Sequence, residues 1–353
     1  MRKESVSFLK ALLEAPSPSG YEQPAMQVVR EYVKSFADEV KTDVHGNVIA
    51  ALNPEGKPRV MLAGHCDQIG MLVRYVNDEG YIHFAAVGGI DTAVLAGLRV
   101  RIHGAKGAIP GVIGRTAIHV LPPDERSKLP AIDKLFIDIG AKDKKAAEKL
   151  VTIGDPITFD VPVVDLQQDL LAAPGVDDKI GGHVCMEALR LLAAEKLACG
   201  VFAVATVQEE VGLRGAVTST YNIHPDVGIA VDVTHTTDYP GSEKAKLGEV
   251  SLGKGPVLDR GANINPRLWR LLVDTAKKAK IPVQLLAAPG GTGTDANAMQ
   301  LSRGGVATAL VAIPNRYMHT PSEVISLGDA EKAARLIAAT VKSINTGTTF
   351  IPE

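Results

Sequence analysis

Three short apolar runs constrain this chain more than anything else in it: GVFAVATV at 200–207, DVGIAVDV at 226–233 and GVATALVAI at 305–313. Each is nearly continuous in small apolar residues, the pattern of a strand buried on both faces. Helical patterns fit between and after them, at PRLWRLLVDTAKKA (266–279), ANAMQLS (296–302) and GDAEKAARLIAATVKSIN (328–345), and DDKIGGHVCMEALRLLAAEKL leads into a long helix before the first of them. Buried strands alternating with helices predict an α/β fold: a mixed, mostly parallel sheet covered by helices.

The N-terminal part supplies more of the same layers. A helix from about Glu4 to Glu14 stops at APSPSG, where prolines and a glycine end it. A second helix covers about Gln23 to Ser35, and the strands NVIAAL (47–52) and RVMLAGH (59–65) follow. From about Gln68 the character changes. GMLVRYVNDEGYIHFAAVG reads as a hairpin turning near Asn77-Asp78-Glu79-Gly80, RVRIHG and IPGVIGR continue the β pattern, DKKAAEKLV is one short helix, and DPITFDVPVV closes the block. The expected organisation is one α/β domain built from 1–67 and 164–353, with a β-rich module at 68–163 inserted into it.

Composition narrows the classes. With 353 residues, 46 % of them hydrophobic and 22 % charged, the chain can build a substantial core. Its formal net charge of −2 leaves no nucleic-acid footprint and no polybasic membrane surface. Three cysteines without a CxxC motif do not suggest a disulfide framework. The N-terminal MRKESVSFLKALLEA reads as an amphipathic helix and not as a secretory signal, and no apolar stretch is long enough to span a membrane. The expectation is a cytoplasmic protein with no nucleic-acid or membrane partner.

The unusual polar residues fall at the ends of the buried strands. His65 and Asp67 follow RVMLAG, Glu209 and Glu210 follow VFAVATV, Asp232 closes VGIAVD, and His319 lies just beyond ATALVAIPNRYM. Asp177 and Asp178 sit in a glycine-flanked loop before a helix. Open α/β sheets bind ligands beyond the carboxyl ends of their strands. Imidazole and carboxylate together suit a first-row transition metal, and a pair of such ions can clamp a hydrolytic transition state. Taken singly, each motif has a plainer reading: a hydrogen-bonded His-Asp pair, an Asp-Asp helix cap, a solvated Glu-Glu loop, a His before a cap at Ser322. Strand periodicity puts His65 and Asp67 on one side, where Asp67 can orient the imidazole, and Cys66 on the other.

These motifs carry a resemblance. GHCDQIG, GVDDKIGG, VQEEVGLRGA, VDVTHTTDYPG, GGTGTDANAMQ and RYMHTPSE, with PSPSGYE near the N-terminus and IPGVIGRTAIHVLPPDER in the β module, are similar in order and spacing to the M42 metallo-aminopeptidases, and the likeness covers essentially the whole chain. It implies a dinuclear-metal exopeptidase domain with an inserted PDZ-like β module that serves oligomerisation, and dimers that assemble into dodecamers. It further implies removal of N-terminal residues from peptides by two divalent metal ions, Zn2+ or Co2+. Carried over, His65, Glu210, Asp232 and His319 resemble metal ligands, and Asp177 the bridging carboxylate. Asp67 corresponds to the residue that orients His65, Glu209 to the general base acting on a metal-bridging water, and GTDA at 293–296 to a segment near the substrate pocket. The family more often has Glu where this chain has Gln68, a position outside the ligand set.

Three rival readings remain open on sequence. A related metal-dependent carboxypeptidase or deacylase would share the site and require a free carboxylate. A glycoside hydrolase would use paired carboxylates without a His-rich metal site. A non-catalytic assembly subunit would be expected to have lost one of the site residues.

Overall fold

The computed structural model describes residues 1–352. Its frame is an eight-stranded sheet, in spatial order Glu39–Thr42, Val48–Leu52, Gly200–Thr206, Arg59–His65, Val227–His235, Ala307–Asn315, Val257–Gly261 and Gln284–Ala288. The four central strands, from Gly200–Thr206 to Ala307–Asn315, run parallel to one another. Antiparallel pairings join them to the outer strands on both sides. The mixed, mostly parallel sheet expected from the apolar runs is therefore present. Every residue of Gly200–Thr206 is buried, as its unbroken apolar run requires.

Helices cover the sheet. Val176–Leu192 packs on the central strands, and Lys3–Glu14 and Leu327–Lys342 pack on that helix. Arg214–Ile223 and Asp295–Gln300 contact each other and further central strands. Three strands, Glu39–Thr42, Val257–Gly261 and Gln284–Ala288, and the Arg214–Ile223 helix are absent from the sequence reading. The strands lie in the outer parts of the sheet, where EVKT and VLDRG are broken by charge and QLLAA is only five residues long with exposed and half-buried positions, so none shows a long buried run. RGAVTSTYNI is rich in residues of modest helix propensity.

The middle block closes on itself. Gly70–Val76, Ile82–Val87, Phe136–Asp138, Gly107–Gly114, Arg99–Gly104 and Pro156–Phe159 form, in that order, a closed six-stranded barrel. It buries its own cluster, including Met71, Phe84, Ile102, Ile113 and Ile137, separate from the cluster that fills the α/β layers. Closure leaves the barrel without free strand edges. The expected hairpin turn is there: Asn77 N donates to Tyr81 O at 2.9 Å and Gly80 N to Asn77 O at 3.1 Å, with Gly80 at φ +90°.

A small three-stranded sheet, Val164–Asp165, Leu170–Ala173 and Glu323–Ser326, lies where the chain leaves the barrel and sets Glu323 opposite Ala173. Cys66, Cys185 and Cys199 are buried free thiols. Among the described residues, no helix is long and apolar enough to cross a membrane.

Candidate metal centre

Four parallel strands present their carboxyl ends at one edge, and the polar residues gather there. His65 is the last residue of its strand, Asp232 lies in the last part of Val227–His235, and His319 follows Asn315 by one short loop. After Thr206 the chain turns sharply, with Gln208 in the left-handed region at φ +55°. Glu209 O then accepts from Gly212 N and Leu213 N, both at 2.9 Å. The strand thus ends before the two glutamates, which frees them from strand alternation. Both reach the same cavity.

The Asp177-Asp178 pair divides its tasks. Asp178 Oδ1 accepts from Gly181 N at 3.0 Å, which caps the helix, and its Oδ2 accepts from His65 N at 3.1 Å. Asp177 lies outside helical geometry, at ψ 108°, and points into the site. Close approach of strand and helix makes this possible. A Cβ on Gly64 would run into the backbone of Gly181 and Gly182, so these glycines let the helix start against the strand that carries His65.

The side chains form two adjoining donor sets, His65 with Glu209 and Asp232, and Asp177 with Glu210 and His319. Within each set, one ligand atom per residue lies within 4.8 Å of the others. Asp177 stands between the imidazoles: its Oδ1 is 3.2 Å from His65 Nε2 and its Oδ2 is 3.2 Å from His319 Nε2. Glu209 Oε2 is 3.7 Å from His65 Nε2 and Glu210 Oε1 is 3.8 Å from His319 Nε2. The sequence reading kept Glu209 off the ligand set; the structure brings one of its oxygens within 4.8 Å of ligand atoms of His65 and Asp232.

Asp67 lies behind His65. The imidazole donates from Nδ1 to Asp67 O at 3.0 Å, leaving Nε2 as the ring nitrogen that faces the cavity and Asp177. The Asp67 carboxylate accepts from Glu209 N at 3.0 Å, Glu210 N at 3.1 Å and Ser19 Oγ at 2.7 Å. The carboxylate therefore orients the glutamate turn, while the hydrogen bond that orients the histidine goes to the main-chain carbonyl of the same residue, the carboxylate oxygen lying 3.5 Å from Nδ1.

Too many acids meet too few cations here. Burial pushes Glu209 up to about 8 and Glu210 up to about 7, with neighbouring carboxylates adding to both shifts. Asp232 is also raised well above the usual range, chiefly by burial. Burial works against a charged His65, but Glu209, Asp177 and Asp67 outweigh it and hold the imidazole's pKa well above 6.5. The hydrogen bond to Asp177 lifts His319 to about 9. Glu210 Oε1 is buried with no hydrogen-bond partner. An unpartnered carboxylate oxygen inside two His-carboxylate donor sets fits divalent cations, which would supply the missing positive charge.

Sequence reasoning passed over several supporting residues. Glu323, four positions after His319, is buried; its Oε2 accepts from Asp177 N at 3.0 Å and its Oε1 from His319 N at 2.9 Å. The only signal was one acid beside a strand in HTPSEVIS. Asp295, within GTDA, accepts from Thr206 Oγ1 at 2.6 Å, while Gly293 and Thr294 line the cavity. Gln68 is not among the donor sets; its Oε1 accepts from the fully buried Lys179 at 2.5 Å. Cys66 is turned toward Gly182, and burial pushes its thiol up to about 12.

Known proteins resemble this chain in sequence and fold. The family model described as M42 glutamyl aminopeptidase matches residues 46–336. The chain is 38 % identical to a lysyl aminopeptidase of Pyrococcus furiosus over 96 % of each protein. The solved TET aminopeptidase of the Thaumarchaeota archaeon SCGC AB-539-E09 superposes with a TM-score of 0.93 at 36 % identity, covering 97 % of each chain. A Pyrococcus horikoshii TET1 peptidase, described as assembling into a tetrahedron or a large octahedral shell, superposes with a TM-score of 0.86 at 33 % identity, covering 96 % of this chain and 100 % of that one. With its fold and its family model in agreement over most of its length, the chain belongs to the M42 glutamyl aminopeptidase family.

Proposed function

We propose that this protein is a metal-dependent aminopeptidase whose two metal ions are held by His65, Asp177, Glu210, Asp232 and His319. The observation that carries the reading is Asp177, one oxygen of which faces each imidazole at 3.2 Å. That is the disposition of a carboxylate shared between two cations. Zn2+ or Co2+ suits these imidazole and carboxylate donors. Bound there, such ions would polarise the scissile carbonyl and make a water more acidic.

The chain's own residues then do the rest. Glu209 takes the proton of the attacking water and returns it to the leaving amine; its pKa, raised to about 8 by burial, suits a group that both accepts and donates near neutrality. Asp67 holds the His65 ring and the backbone of both glutamates, so that base and ligands keep their spacing. Glu323 fixes the backbone of Asp177 and His319 from below. The surplus of acid gives the substrate's free amino group a partner, which restricts cleavage to the N-terminal residue.

The barrel at 68–163 is read as a PDZ-like module inserted into a catalytic domain of 1–67 and 164–353. Its task would be self-association, through dimers to a dodecamer, in a cytoplasmic protein. The named assemblies of the TET1 relative support this reading. Sedimentation of the purified chain tests it, and a stable monomer would end it.

The aminopeptidase reading is tested with a peptide carrying a free N-terminus and the same peptide N-acetylated, after EDTA stripping and return of zinc, cobalt or manganese. Cleavage of the free form alone, dependent on metal, is expected. A requirement for a free carboxylate instead would favour the carboxypeptidase reading.

A further inference from the structure

The barrel does not stand apart from the metal centre. The open end of its first hairpin lies at the site: Gly70, three residues after Asp67, pairs with Val87, and the chain leaves the hairpin through Gly88 and Gly89. Gly88 holds φ +74°, in the left-handed region. A Cβ there would lie 2.8 Å from Glu210 Oε2 and 2.9 Å from Ile69 Cγ2. A Cβ on Gly89 would lie 3.1 Å from His319 Nδ1, and Gly89 lines the metal-centre cavity together with His319.

Both contacts fall on the same donor set. Glu210 and His319 belong with Asp177, whereas the nearest atoms to the two glycine positions include none of His65, Glu209 or Asp232. The two histidines are also held differently. His65 Nδ1 is fixed by its hydrogen bond to Asp67 O, while the edge of the His319 ring that carries Nδ1 faces the bare backbone of Gly89. The turn that makes these contacts is tied down on its far side: Ile90 packs against the barrel's buried cluster, and Asp91 Oδ1 accepts from Ala93 N at 2.8 Å. A closely packed neighbour on an anchored backbone restrains a ligand's position, as a hydrogen bond to it would.

Resting on the two-metal reading, we propose that Gly88 and Gly89 are positioning residues for one of the two metal ions. The backbone of the inserted barrel sets where Glu210 and His319 stand, so the set of Asp177, Glu210 and His319 is shared between two modules. The set of His65, Glu209 and Asp232 comes from the strand ends of the α/β sheet. A side chain added at either glycine pushes a ligand off its place and weakens that one ion while sparing the other.

The test is titration of EDTA-stripped protein with Co2+, followed by calorimetry and visible absorption, for the wild type, Gly89→Ala and Gly88→Ala. The wild type should take up two Co2+ ions. Gly89→Ala should bind one ion as the wild type does and the other about 10-fold more weakly. Gly88→Ala, which also strains the backbone, should weaken the same ion by about 100-fold. Gly89 is not in the left-handed region, so its alanine variant should fold even if Gly88→Ala does not. Unchanged affinity at both sites in Gly89→Ala, or an equal loss at both, overturns the inference. A raised KM for a peptide with a free N-terminus, with metal binding as in the wild type, would make the turn a wall for substrate and overturns it too. Failure of the parent reading looks different: the wild type itself takes up fewer than two Co2+ ions, and the inference falls with it.

Discussion

The Val176–Leu192 helix carries two buried polar clusters, one at each end, and they close their charges in opposite ways. Near its C-terminal end, Arg190 meets Glu187 through Nε at 2.9 Å and Nη2 at 3.1 Å. Tyr32 also donates to Glu187, and Arg2 donates to the Tyr32 hydroxyl at 3.0 Å. Nearby, Ser5 Oγ lies 3.0 Å from His183 Nε2, and burial pushes His183 down to about 4, so it is neutral. Burial alone would raise Glu187, but Arg190 and Tyr32 outweigh it and lower its pKa. That cluster carries its cations with it. At the N-terminal end, Asp177 lies between two imidazoles, while burial and neighbouring carboxylates drive Glu209 and Glu210 upward, and Glu210 Oε1 accepts no hydrogen bond. Both clusters contain histidine and carboxylate, so residue type does not separate them. Charge closure does: at one end the acid is paired with Arg190, though the neutral His183 leaves Nδ1 without a hydrogen bond, and at the other an acid surplus waits for a cation.

Substitutions should divide along the same line. Glu209→Gln is expected to lower turnover by about 1,000-fold while metal content by elemental analysis stays near the wild-type value. Normal turnover would remove Glu209 as the base, and lost metal would make it a ligand. Glu210→Ala should weaken metal binding by at least about 100-fold; EDTA is expected to lower the melting temperature of the wild type and to leave that of the variant unshifted.

At the closed cluster the effect should fall on stability alone. Glu187→Ala should cost about 2 kcal/mol in denaturant unfolding and leave the metal affinity of the folded protein unchanged. The pH dependence has a definite sign. The folded pKa of Glu187 lies below its ordinary 4.5, so its contribution is present above 4.5 and is lost as pH falls through the lowered folded value. The gap between wild type and variant should therefore close in acid; a gap that widens there would mean that Glu187 is not held as a carboxylate. The smallest effect is expected at Glu323→Gln, which keeps only one of two accepting oxygens and should weaken metal binding by about 10-fold.

The central sheet was legible because its strands are buried on both faces and their sequences show it without interruption. His65, Asp232 and the Glu209-Glu210 turn were legible for the same reason, since acids and imidazoles stand out at the ends of apolar runs. Other features left no such trace. That Asp178 caps the helix while Asp177 enters the cavity depends on backbone angles that DD does not encode. Glu323 acts through backbone amides from a strand of a separate small sheet, and a single acid in SEVIS carries no periodicity. The barrel read as β from its turns, but its closure depends on which strands pair, with Gly70–Val76 meeting Pro156–Phe159 across most of the block.

The spread of the cluster along the chain has a consequence for the protein's synthesis. Its residues run from His65 to His319, and the Ala307–Asn315 strand must join the sheet before His319 can face Asp177. A nascent chain that has emerged only through the barrel carries one histidine of the site and none of its partners beyond Asp67. The donor groups therefore come together only when nearly the whole polypeptide has folded.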